Sequence, residues 1–272
     1  MKHLLLWASL GCLASWAYAA ELPPVITTGT LLDEMANLER LARWPEPAFR
    51  TIQFSSYDRR STTSEAPRWF ANADGFGEEP IPDFQRVLRA PKDGQPGLFL
   101  IAQVSGPGAI VRGWSAGMDG VLRVHLDPEG ATPPIYEGPA YGFLARRSAK
   151  YLEQAQSSLK PGNAFVQQDA DYLPIPFAKG LYVTWEGKLN ELHFYHLQTR
   201  LYPAGTAVRD FNPQADLKTH AAQLATAADR LRQPAAPGNA VPFTAALEPG
   251  KSFVWTETNH APGAIRLVQL KV

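Results

Sequence analysis

The sequence predicts a mainly β protein: a jelly-roll sandwich with an N-terminal helix, a linker helix and the first strands of a second, truncated jelly roll. Three observations carry that prediction. From Thr51 onward, short β-branched and aromatic runs recur between Gly/Pro turns, the pattern of a two-sheet all-β domain. Only two stretches keep helical spacing. One segment pattern also appears twice: Pro96–Ser115 reads PGLFLIAQVSGPGAIVRGWS, and Pro249–Leu270 reads PGKSFVWTETNHAPGAIRLVQL. Each has a Pro-Gly turn, an apolar run, then Pro-Gly-Ala-Ile opening a second run. The two PGAI starts, Pro107 and Pro262, lie about 155 residues apart, a domain-sized offset that suggests a duplicated β unit. The second copy runs only to Val272, so it is expected to be cut short.

The elements follow in order. Residues 1–20 read as a secretory signal peptide: Lys2 and His3 form a positive start, Leu4 to Trp16 is apolar, and Ala17-Tyr18-Ala19 is a small-x-small cleavage site. The apolar run is too short for a stable span, so export to the periplasm or extracellular space is expected, with no membrane attachment after cleavage. Residues 21–45 form an N-terminal helical segment. Thr30 to Asp33 resembles a capping box, Leu31, Met35, Leu38 and Ala42 recur at helical spacing, and Trp44-Pro45 ends the run.

Residues 46–211 form the first jelly roll, with candidate strands at Ile52 to Phe54, 98–104, 109–115, 121–126, 164–168, 181–185 and 192–201. Val121, Arg123 and His125 alternate with Leu122, Val124 and Leu126, as a half-buried strand requires. Residues 212–242 are a helix and linker. Asn212 caps, Pro213 takes the first helical position, and Leu217, Ala221, Leu224, Ala228 and Leu231 trace one face before Pro234. Residues 243–272 begin the second sandwich.

Composition narrows the function classes. The chain carries 26 basic and 26 acidic side chains, and losing the leader removes only Lys2 among them. No basic stripe appears, so nucleic acid is not an expected partner. A hydrophobic content of 45% supports a packed core, and 24 Pro with 21 Gly implies many turns. Cys12, in the leader, is the single cysteine, so disulfides and thiolate-bound metals are not expected in the mature chain.

The densest polar-aromatic cluster is Phe54-Ser55-Ser56-Tyr57-Asp58-Arg59-Arg60, followed by Trp69-Phe70-Ala71-Asn72-Ala73-Asp74. Carboxylates, an amide, arginines and aromatics in one loop suit a sugar, whose hydroxyls need polar partners and whose ring face packs on an aromatic. On the residues alone the favoured reading is the plainer one, a Ser/Asp turn with a structural Asp–Arg pair and two core aromatics. His193 and His196, three apart on a strand, point to opposite faces and cannot chelate together. Asp169 and Asp171 share a strand face, but two carboxylates fall short of the oxygens calcium requires. Glu137, Glu186 and Glu191 are read as surface residues. No metal or cofactor is expected, and no phosphate loop, dinucleotide fingerprint or serine-nucleophile elbow occurs.

Several motifs in series carry a family resemblance: Phe54-Ser55-Ser56-Tyr57-Asp58-Arg59; Gly106-Pro107-Gly108-Ala109-Ile110-Val111-Arg112 with Trp114; Leu122-Arg123-Val124-His125-Leu126-Asp127; Leu173-Pro174-Ile175-Pro176-Phe177; and Phe194-Tyr195-His196 leading to Tyr202-Pro203-Ala204-Gly205-Thr206. In this order they resemble glycoside hydrolase family 172, also known as domain of unknown function 2961. The resemblance runs from about Leu31 onward and concerns the N-terminal portion of that family. It implies tandem jelly rolls, trimer-type assembly, and action on fructofuranosides or arabinofuranosides by two carboxylates with retention. It also implies that Tyr57, Asp58, Arg59 and Trp69 line the sugar pocket, the aspartate and arginine as polar contacts and the two aromatics as stacking faces. The glutamates that such relatives use lie in second-domain motifs that no position here matches. No catalytic residue is therefore assigned, and the chain is expected to be inactive alone. The alternatives are a non-catalytic carbohydrate-binding or structural jelly-roll protein, or one half of a split or frameshifted enzyme.

Overall fold

The structure is a computed structural model, and it describes residues 25–37, 40, 43–57, 84–154, 164–192, 194–232, 249–252, 254 and 256. Two antiparallel sheets pack face to face. One holds β1 (Arg50–Ser55), β11 (Tyr195–Leu201), β4 (Gly108–Ser115), β8 (Ala170–Asp171) and β7 (Val166–Gln167) in that order, with β9 (Ile175–Phe177) also paired to β4. The other runs β2 (Arg86–Arg89), β3 (Gly97–Ser105), β10 (Gly180–Gly187), β5 (Val121–His125), β6 (Tyr136–Pro139). The chain changes sheet between β3 and β4, between β4 and β5, and between β10 and β11. That is the wrapped antiparallel ribbon expected of a jelly-roll sandwich.

Alternation decides which side chains meet. In β5, Leu122 and Val124 are fully buried while Arg123 and His125 are half-exposed, as their spacing predicts. Trp185 on β10 sits at the core centre against Phe99 (ring centroids 5.4 Å apart) and Phe84 (5.9 Å). Its indole N–H donates to the Asp119 carbonyl at 2.6 Å, so the one polar atom of this buried ring is satisfied. Aromatic side chains of this size contribute most of the apolar area such a core removes from water.

Two short helices follow, α2 (Ala140–Leu144), which packs against β4, and α3 (Arg147–Gln154), which packs against α2; the sequence reading named no element over residues 140–154. The chain reaches them from β6, where the Tyr136 hydroxyl donates to the Pro139 carbonyl at 2.7 Å. Their close approach is possible because β4 has glycine at position 113. A Cβ there would lie 2.5 Å from the Leu144 carbonyl oxygen and 2.8 Å from Arg147 Nη1. Arg147 itself has no solvent exposure. Its Nε and Nη2 donate to the Leu173 carbonyl at 3.0 and 2.8 Å, and Asp171 stands 3.7 Å from Nε.

The terminal helices correct the sequence expectation in detail. The first cap is Thr27, which exchanges hydrogen bonds with Thr30, and α1 spans Thr28–Ala36. The cap lies three residues earlier than Thr30 because Thr27 holds the extended backbone a cap needs. The C-terminal helical stretch divides into α4 (Asp216–Thr219) and α5 (Ala221–Arg232). Asn212 does accept from the backbone N–H groups of Gln214 and Ala215, and Leu217, Leu224 and Ala228 are buried as expected. Leu231 is 44% exposed, so the apolar stripe stops one turn short. The expected start of a second sandwich at 243–272 lies almost wholly outside the described residues.

Candidate functional site

β1 carries the chain toward the sequence cluster singled out above. Ser55 pairs with His196 of β11, the Ser56 N–H donates to the Tyr195 carbonyl at 3.2 Å, and the Ser56 hydroxyl accepts from the Tyr195 N–H at 3.2 Å. Tyr57 follows, 49% exposed at this end of the sandwich. Of the four expected sugar-contacting residues it is the one described; Asp58, Arg59 and Trp69 lie outside the described residues.

Beside Tyr57, the outer face of the same sheet presents a row that sequence reasoning did not assemble. Register places His196 opposite Trp114 of β4, and their ring centroids are 4.8 Å apart at 41°. Both are half-buried, whereas their neighbours Tyr195, Leu197, Gly113 and Ser115 face the interior. One step along, Gln198 pairs with Arg112 and donates through Nε2 to Gln53 Oε1 at 2.7 Å. Arg112 Nε donates to the Tyr172 hydroxyl at 3.4 Å, with the guanidinium 5.9 Å from that ring's centre. Desolvation, helped by the Arg112 charge, lowers the His196 pKa below its ordinary 6.5, so this imidazole is neutral at pH 7. Alternation in each strand was legible; the pairing that makes a row of them was not.

The carboxylates are engaged elsewhere. On the outer face of the second sheet, Arg123 Nε bonds Glu137 at 2.9 Å and its Nη1 bonds Glu186 at 2.9 Å, while Arg89 reaches Glu186 at 2.5 Å. Two of the three glutamates considered from sequence therefore do meet, but with a guanidinium between them. Hydrogen bonds from Arg123 and then Arg89 lower the Glu186 pKa, which suits an ion pair and not a proton donor. Glu191 accepts from the Lys188 N–H.

Asp169 and Asp171 do not share a face. Asp169 accepts from the Tyr141 hydroxyl at 2.7 Å and is half-exposed. Asp171 is buried and accepts from the Ser148 N–H (2.8 Å), the Ser148 hydroxyl (2.6 Å) and the Leu173 N–H (2.9 Å). Their separation follows from the bond that turns Asp171 inward onto α3. No cluster of three or more metal-ligating side chains occurs among the described residues. No helix among them is long and apolar enough to cross a membrane.

A groove of about 460 Å³ opens at the opposite end of the sandwich, lined by residues including Asp127, Glu129, Lys179, Asp210 and Phe211. Asp127 is committed to its own turn, accepting from the N–H groups of Glu129, Ala131 and Thr132 and from the Thr132 hydroxyl. Desolvation pushes its carboxyl up, but these four donors outweigh it and hold the group far below the ordinary aspartate range. Asp210 accepts from the Ala178 N–H.

No curated protein and no solved structure matches the chain. One protein family does: the GH172 first beta-sandwich domain matches residues 47–219, more than half of the sequence and the whole of the two-sheet unit. With the motif series, the wrapped antiparallel topology and this match in agreement, the chain belongs to glycoside hydrolase family 172.

Proposed function

We propose that this chain is an exported member of its glycoside hydrolase family that handles fructofuranoside- or arabinofuranoside-containing glycans without supplying the reacting carboxylates from its sandwich. One observation carries the second half of that reading. Every buried or half-buried carboxylate among the described residues already has a structural partner, whether arginine, hydroxyl or backbone N–H. Retaining hydrolysis needs a nucleophile and a proton donor about 5 Å apart across an open cleft. Glu186, held by Arg123 and Arg89, keeps its charge and offers no acid, and Glu137 is tied to the same Arg123.

The SSYDR loop, with Tyr57 at its described edge, is the proposed sugar contact, and a trimer-type assembly is the proposed working form. The residues of the leader motif support export, which the N-terminus of the exported species would locate near residue 20. Assay of the purified chain on aryl arabinofuranosides and fructofuranosides tests the central claim: no turnover is expected, and robust turnover abolished by no change outside the sandwich refutes it. A carbohydrate-binding role without any hydrolytic partner is the second reading. It is favoured by the aromatic and amide row on the outer sheet face and separated from the first by whether added subunits restore turnover.

A further inference from the structure

The outer face of the sheet formed by β1, β11 and β4 offers chemistry that the fold itself does not use. Trp114 and His196 form a close, tilted pair, ring centroids 4.8 Å apart at 41°, half-open to solvent on the outer face of the sheet. Among the described residues, the Trp114 indole N–H, both His196 ring nitrogens and the two Arg112 Nη groups have no hydrogen-bond partner. Next to the rings lie amide groups of Gln198 and Gln53, already oriented by their mutual bond at 2.7 Å. No carboxylate lies in the two rows Ser55–His196–Trp114 and Gln53–Gln198–Arg112.

We infer that this face is a saccharide-binding platform, on which one sugar ring packs against the Trp114–His196 pair while its hydroxyls bond Arg112, Gln198 and the His196 nitrogens. The chemistry selects the ligand. The flat face of the Trp114 indole, with the His196 ring inclined beside it, matches the C–H face of a furanose or pyranose ring. Forked guanidinium and amide donors match vicinal hydroxyls. A neutral imidazole offers one donor and one acceptor, as a hydroxyl does. Ser55, opposite His196, is two residues from Tyr57, and β1 and β4 are two strand spacings apart, roughly 10 Å. The platform thus continues the proposed SSYDR contact along the sheet and suits a second sugar unit of an extended glycan. It rests on the reading that this chain handles carbohydrate, but on none of residues 58–83.

The test is calorimetric titration of the full chain with an arabinofuranosyl oligosaccharide, a fructofuranosyl oligosaccharide and, for comparison, a cello-oligosaccharide. Trp114→Ala, the milder Arg112→Gln, and Trp69→Ala are titrated in parallel, with circular dichroism to verify folding. Loss of stacking should weaken oligosaccharide binding about tenfold in Trp114→Ala, and Arg112→Gln should weaken it severalfold, without loss of structure. Binding lost in Trp69→Ala but unchanged in Trp114→Ala and Arg112→Gln overturns the platform and leaves the SSYDR contact standing. The reverse pattern upholds the platform and removes that contact. No binding of any oligosaccharide overturns the platform. So does a change in sedimentation, in place of binding, for the Trp114 and Arg112 variants, since the face is then a contact between copies of the chain.

Discussion

Removing the Asp171 carboxylate gives the sharpest test of how α3 is held against the sheet that contains β4 and β8. In Asp171→Ala, the Ser148 and Leu173 N–H groups and the Ser148 hydroxyl lose their acceptor, and the wholly buried Arg147 loses the anion 3.7 Å from its Nε. Burial already works against the Arg147 charge, and its Nη1 has no hydrogen-bond partner among the described residues. Stripping one partner from a buried ion pair typically costs about 3–5 kcal/mol, a large share of a domain's net stability. With a urea slope near 2.5 kcal/mol per molar, the midpoint should fall by about 1–2 M, read by tryptophan fluorescence and circular dichroism together. Arg147→Met in the same background removes the stranded charge, and the double variant should be at least about 1.5 kcal/mol more stable than the sum of the single effects predicts. A cost below about 1 kcal/mol for Asp171→Ala, or strict additivity in the double variant, refutes the view that this pair acts as a unit.

Three further outcomes follow from the same geometry. Gly113→Ala should destabilise by about 1–3 kcal/mol in thermal unfolding, because its Cβ meets the Leu144 carbonyl at 2.5 Å and neither backbone can retreat without breaking a sheet or a helix turn. Asp127, with its folded pKa depressed, contributes stability that is present above the unfolded aspartate value near 3.8 and is lost as pH falls through the folded value. The acid limb of a stability–pH curve should therefore be shallower in Asp127→Ala than in the parent. His196 titrates below 6.5 for the opposite reason, since burial and Arg112 disfavour its charged form. Its proton resonance should show a midpoint below that value, rising in Arg112→Ala. The unfolded chain binds this proton more readily, so His196 makes the fold lose stability as pH drops below about 6.5.

The strands that sequence reading located best are those with one face in the core. The run at 98–104 became Gly97–Ser105, 109–115 became Gly108–Ser115, and 121–126 became Val121–His125, because period-two alternation and Gly/Pro turns mark both the strand and its ends. Residues 140–154 escaped notice for a physical reason. Their helices hold an arginine, Arg147, at a fully buried position, and its compensation comes from Leu173 and Asp171, more than twenty residues away. Polar side chains at such positions read locally as a solvated face. The strand at 192–201 began later than expected, at Tyr195, because Leu189–Glu191 forms a 3-10 turn. Of the residues proposed to contact sugar, Tyr57 was legible as an exposed aromatic following a strand. The Trp114–His196 pair was not, since it depends on which strands become neighbours, and no local pattern specifies that.

The pairing of Ile26 with Val208 has a mechanical consequence. Ile26 donates to the Ala207 carbonyl at 2.8 Å and accepts from the Arg209 N–H at 2.9 Å, and α1 then packs along α5. Polypeptide thus enters and leaves the sandwich at one pole, and β1 delivers Tyr57 to the other. Tension applied through residues 26 and 232 would load this clasp first and leave the two described sheets out of the load path. A neighbouring module can therefore be spliced on at the clasp while the far pole keeps its shape, so the unit is suited to tandem fusion.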